Sequence, residues 1–151
     1  MQQAVSARTP AHLWIVGILS LLWNCFGAYD YLMTRTKGAA YIESMMHTDQ
    51  ADAIMAYING FPVWVSAGWG LGVWCGLLGS ILLLMRSRHA VLVFGVSMIG
   101  AIVGLGWQLM NPSGIAEMSE TVNQVMPYVI IALAVALFLY ARAMEKKGVL
   151  R

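Results

Sequence analysis

FPVWVSAGWGLGVWCGLLGSILLLM, residues 61–85, contains no Asp, Glu, Lys or Arg. A helix rises 1.5 Å per residue, and about 20 mostly apolar residues cross the hydrocarbon of a bilayer. This stretch is long enough to do so. Three more stretches share its character: Thr9–Tyr29, Ala90–Met110 and Thr121–Ala141. Together the four take up more than half of the 151 residues, and the mean hydropathy is +0.70. The sequence predicts an all-α, polytopic membrane protein with four transmembrane helices in an antiparallel bundle. The expected spans cover about 11–33, 61–84, 90–110 and 126–144 of a single membrane domain, residues 1–151.

The charges predict an orientation. Seven of the nine Lys and Arg residues (Arg8, Arg86, Arg88, Arg142, Lys146, Lys147 and Arg151) fall on the side of the termini. Arg35 and Lys37 fall on the other side, with Asp30, Glu43, Asp49, Asp52, Glu117 and Glu120. Basic residues in short loops stay cytoplasmic, so both termini are expected inside. The net charge of +2 gives no reason to expect nucleic acid. Tyr29-Asp30-Tyr31 follows the first apolar run where a cleavage site would need small residues, so this run is expected to remain as a span.

Between the first two spans lies a polar outer segment, residues 34–60. Ala40–Met46 and Asp49–Ile58 read as short helices lying at the interface, with Ile42, Met45, Ile54 and Ile58 on an apolar side and Glu43, His47, Asp49 and Asp52 on a wet one. Arg86-Ser87-Arg88-His89 predicts a tight turn between spans two and three. Asn111-Pro112-Ser113-Gly114 ends span three. Helix 4 is expected to start around Pro127.

Helix faces point to contacts. Gly68, Gly72, Gly76 and Ser80 recur every four residues on span two, and Gly100 and Gly104 do so on span three. Such rows let two backbones approach closely. Polar groups at hydrocarbon depth are costly and therefore informative. Asn24 sits near the midplane; Asp30, Tyr31, Trp107, Gln108 and Asn111 sit in the outer third. The expectation is that these six line one outward-facing pocket for a hydroxylated solute. The plainer reading gives Asn24 an interhelical hydrogen bond and Asp30 a partner in Arg35 or Lys37.

Other chemistry finds little footing. Cys25 and Cys75 lie mid-span in no paired spacing and read as small packed thiols. His12 and His89 share a depth, but solvated interfacial side chains are the simpler reading, so no cofactor and no metal are expected. No nucleophile–base pair or phosphate loop appears, and the chain is not expected to be an enzyme. Its expected partners are the lipid bilayer and either further copies of itself, as a homo-oligomer, or a larger membrane complex.

Several segments add a resemblance. Leu22-Trp23-Asn24, Gly27 to Thr34, Phe61-Pro62-x-Trp64-Val65, Gly72-Val73-Trp74-x-Gly76-Leu77-Leu78-Gly79-Ser80 and Tyr140-Ala141-Arg142-Ala143-Met144 resemble a family of small bacterial four-helix membrane proteins. Members often carry an automatic "sugar transporter" label. The resemblance implies a four-helix fold, the inner membrane of a Gram-negative bacterium and solute transport. It implies no catalytic residues.

Overall fold

The computed structural model of the chain describes residues 9–151. Arg8, counted above among the basic residues, lies outside the described residues. Six α-helices follow in order: α1 Ala11–Lys37, α2 Ala39–Met46, α3 Ala51–Asn59, α4 Val63–Leu84, α5 His89–Met110 and α6 Thr121–Lys146. A single 3-10 turn, Glu117–Ser119, lies between α5 and α6. Helices α1, α4, α5 and α6 are long and apolar enough to cross a membrane. The chain is a multi-pass membrane protein.

Local chemistry sets the ends of these helices. α1 runs past residue 33 because nothing breaks it before Gly38, which turns the chain at φ +55°. That conformation suits glycine. Pro62 stands just before the first residue of α4, where its missing N–H costs nothing. α6 departs from expectation. It begins at Thr121 and carries Pro127 inside it rather than at its start. Pro127 has no N–H to give the Asn123 carbonyl one turn back.

Neighbouring helices touch in the order α1, α4, α5, α6. α4 therefore lies between α1 and α5. Its glycine row faces α5 at backbone distance. A Cβ placed on Gly100 would lie 2.6 Å from the Gly68 carbonyl oxygen and 2.7 Å from the Gly72 nitrogen. One on Gly104 would lie 3.3 Å from the Trp69 nitrogen. Ser97 adds a hydrogen bond across the same seam, from its hydroxyl to the Gly72 carbonyl at 2.6 Å.

The core gathers at the end of the bundle where α1 begins and α6 ends. Leu13, Leu83, Ala90, Phe94, Ala141, Met144, Val149 and Leu150 are buried together there. The His12 Nδ1 and the Tyr140 hydroxyl, 2.5 Å apart, join α1 to α6 at this end. A second, smaller cluster closes the opposite end. Ile42, Ala51 and Ile54 of α2 and α3 pack against Ile115 and Met118 of the α5–α6 loop. The segment between α1 and α4 thus forms a cap over the bundle. Much of the remaining apolar surface, such as Leu19, Leu22, Phe26, Leu92 and Ile99, faces outward, as lipid contact requires.

Candidate functional site

The residues singled out from the sequence find separate partners. Asn24 is half-buried on α1 and lies against α4. Its amide donates to the Ser20 carbonyl at 2.8 Å and to the Ser80 hydroxyl at 3.1 Å. Ser80, fully buried, donates in turn to the Gly76 carbonyl at 3.0 Å. Asn24 Oδ1 rests on Gly76, where any Cβ would collide with it. Gly76 therefore makes room for an amide at hydrocarbon depth, where a polar group needs a partner.

Asp30 points elsewhere. Its Oδ1 accepts from the Tyr41 hydroxyl at 3.0 Å, which ties α2 to α1. Burial, and then the Asp30 hydrogen bond and charge, push the Tyr41 hydroxyl up to about 12. Arg35 lies over the Trp69 ring, its Cζ 5.9 Å from the centroid. Tyr31 packs edge-on against Trp69 at 4.7 Å and Trp74 at 6.2 Å. Asn24, Asp30 and Tyr31 thus serve the α1–α4 and α1–α2 contacts.

Trp107, Gln108 and Asn111 form a different group at the cap end of α5. Trp107 stacks on Tyr57 of α3 with centroids 6.3 Å apart, and Phe61 meets its edge at 5.3 Å. The Tyr57 hydroxyl donates to the Asn111 carbonyl at 2.6 Å. Burial raises Tyr57 above its ordinary value, so the phenol stays protonated. Gln108 reaches back to the Gly104 carbonyl at 3.5 Å, a long contact.

A cavity of about 260 Å³ opens beside this second group. Tyr57 and Gln108 form one wall; Asn123, Gln124, Pro127 and Tyr128 of α6 form another. Ser113, Gly114, Met118 and Ser119 of the loop complete it. None of these side chains is charged. The single pocket expected from the sequence is thus divided. Of the six residues proposed for it, Gln108 lines this cavity. Trp107 and Asn111 support the wall through Tyr57, while Asn24, Asp30 and Tyr31 are engaged along α1.

The α6 side of the cavity was not read from the sequence. Pro127 was the available signal, since a proline inside a helix marks a carbonyl without its usual donor. Glu117 holds the loop in place: its Oε1 accepts from the Thr48 hydroxyl at 2.8 Å, and its backbone carbonyl accepts from the Asn123 amide at 2.6 Å. His12 and His89 take separate partners, Tyr140 and Ser87.

Chemically, the cavity offers a neutral set of donors and acceptors. The Tyr57 hydroxyl spends its hydrogen on the Asn111 carbonyl, so toward a ligand its oxygen can serve only as an acceptor. The amides of Gln108, Asn123 and Gln124 provide both kinds of group. No family model, no curated protein and no solved structure matches this chain.

Proposed function

We propose that this integral membrane protein binds a small, uncharged, hydroxyl-bearing solute at the cap end and moves it across a bacterial inner membrane as an oligomer. Both termini lie in the cytoplasm in this reading, and the cap faces outward. The observation that carries it is the cap-end cavity: about 260 Å³, lined by amides, hydroxyls and two tyrosines together with Leu109, Pro112, Met118 and Pro127, without a charged group. That volume lies just below the usual 300–1,000 Å³ of small-molecule sites, which suits a sugar-sized guest. The amides and hydroxyls among the lining residues match a guest that bears both donors and acceptors. The α4–α5 seam supports the oligomer. Backbones at 2.6–3.3 Å from each other's would-be Cβ atoms leave no room for a solute between those helices. A path would run between copies.

The test begins with tryptophan fluorescence, because Trp107 stacks on a cavity wall. Neutral monosaccharides and polyols should change the emission, and Gln108→Leu with Asn123→Leu should abolish the change. Uptake into proteoliposomes should fall in the same variants. No response to any neutral solute, with intact folding, would overturn the reading.

One observation favours a second reading, a non-transporting accessory subunit of a larger complex. No residue in the most apolar 18-residue window of α6 is buried. A partner helix would cover that flank as well as lipid does. Recovery of a stoichiometric heterologous partner in mild detergent supports this reading; recovery of a homo-oligomer supports the first.

A further inference from the structure

The turn between α4 and α5 places an arginine where the backbone suits glycine. Arg86 has φ +58°, in the left-handed region that side chains avoid. Its N–H donates to the Leu83 carbonyl at 3.0 Å, and the Ser87 N–H donates to the Leu82 carbonyl at 2.9 Å. This pair of bonds closes a helix in the Schellman manner, and glycine usually occupies the position of Arg86. α6 closes with the same pair. Gly148 donates to the Glu145 carbonyl at 2.8 Å and Val149 to the Met144 carbonyl at 3.0 Å, with Gly148 at φ +68°. One closure uses glycine; the other keeps an arginine against its backbone preference.

The side chain of Arg86 is also poorly served. Its Nε donates to the Val149 carbonyl at 3.4 Å, a long contact, and its buried Nη2 has no acceptor. A buried donor without a partner is costly. More basic residues gather round this turn. The tail after α6 returns to it: the Arg151 N–H donates to the Arg86 carbonyl at 2.8 Å, and the Arg88 N–H donates to the Arg151 carbonyl at 2.9 Å. Val149 and Leu150 are buried beneath. Lys146 and Lys147 end α6 two or three residues before Val149, whose carbonyl Arg86 reaches, and Glu145 is the one acidic residue after Glu120 in the sequence.

We infer that the α4–α5 turn seats the phosphate of an anionic phospholipid headgroup, with Arg86 as its principal donor and Arg88, Lys146 and Lys147 adding positive field. Spanning helices end at this level, which is where headgroup phosphates lie. Basic clusters beside spans attract anionic lipid. The tucked position of Arg86 leaves one nitrogen unsatisfied, so rotation of its long side chain toward a phosphate satisfies both arms of the guanidinium. Guanidinium and phosphate pair in a two-pronged geometry that a lysine cannot reproduce. The inference is independent of the cap-end cavity and of which leaflet faces the cytoplasm.

The experiment is a thermal-melting titration of the full chain in neutral detergent micelles, with phosphatidylglycerol, phosphatidylcholine or inorganic phosphate added. Phosphatidylglycerol should raise the midpoint of the unchanged protein, and the other two should not. Arg86→Gly should melt no lower than the unchanged protein without lipid, because glycine accepts the backbone angle. Its affinity for phosphatidylglycerol should fall by more than the roughly fivefold expected for removing any one basic charge. Arg142→Gln, which removes an exposed charge from α6, supplies that fivefold reference. Arg86→Asn, also tolerant of the left-handed region, should behave like Arg86→Gly. Equal losses in Arg86→Gly and Arg142→Gln would overturn the inference. So would stabilisation by inorganic phosphate alone, or no preference for the anionic lipid. Unfolding of both Arg86 variants would also overturn it, since the arginine would then be structural.

Discussion

Gly100→Ala adds one methyl group where two helices touch backbone to backbone. The new Cβ would stand 2.6 Å from the Gly68 carbonyl oxygen and 2.7 Å from the Gly72 nitrogen, against about 3.4 Å for an ordinary contact. Neither atom belongs to a side chain that can rotate away. α4 and α5 must therefore separate by about 0.8 Å. The Ser97 hydrogen bond to the Gly72 carbonyl, now 2.6 Å, would stretch toward about 3.4 Å, where such bonds weaken. Overpacking of this kind costs about 1–3 kcal/mol, and the lost interhelical bond adds about 0.6 kcal/mol. Alanine returns up to about 1 kcal/mol of helix propensity. The net expectation is a loss of about 1–2 kcal/mol. Gly27→Ala and Gly106→Ala are the matched controls, because a Cβ at either would meet nothing within 4 Å. They should be neutral or slightly stabilising. Reversible unfolding by denaturing detergent in mixed micelles measures all three. A Gly100→Ala value within about 0.5 kcal/mol of the Gly106→Ala value, the spread of ordinary surface changes, would refute the close seam between α4 and α5.

Two further outcomes follow from α1. Asn24→Leu should lower stability by about 0.6 kcal/mol or more in the same assay, because it removes the bond to Ser80 and presses a larger group on Gly76; unchanged stability would argue against that contact. Tyr41 is raised from 10.0 to about 12 in the folded chain, so it binds its proton more tightly there than when unfolded. Its contribution is fully present below pH 10 and is lost as pH rises from 10 to 12. Melting curves across that window should show a decline that Tyr41→Phe lacks, and equal declines in both proteins would contradict the Asp30–Tyr41 bond.

The four spans were legible because hydrocarbon admits so few alternatives. A charge-free run of over 20 residues had to become a helix, and α4 and α5 fall within two residues of the expected bounds. The two short helices of the cap were also legible, from Ile42, Met45, Ile54 and Ile58 set against Glu43, His47, Asp49 and Asp52. The start of α6 was not. Pro127 favours a first turn but is tolerated inside a helix, and Thr121–Met126 extend one turn and more before it. The polar groups were misjoined for a different reason. Composition told which residues are costly at depth, but not how each helix is rotated or that α4 intervenes between α1 and α5. Asn24 and Gln108 both needed partners. They found them on different helices, Ser80 on α4 for one and the Gly104 carbonyl of its own helix for the other. Tyr41 carried no sequence signal as the partner of Asp30, eleven positions away across a turn.

The depth of each polar residue in the bilayer depends on four crossings with both termini on one side. Paired reporters, one active only in the cytoplasm and one only outside it, test this directly when fused after Asn123 and after Arg151. The cytoplasmic reporter should be active at Arg151 and the external reporter at Asn123, which lies in the first turn of α6 at the cap end. The same reporter active at both positions would contradict the four-span fold, and the two signals exchanged would contradict the proposed orientation.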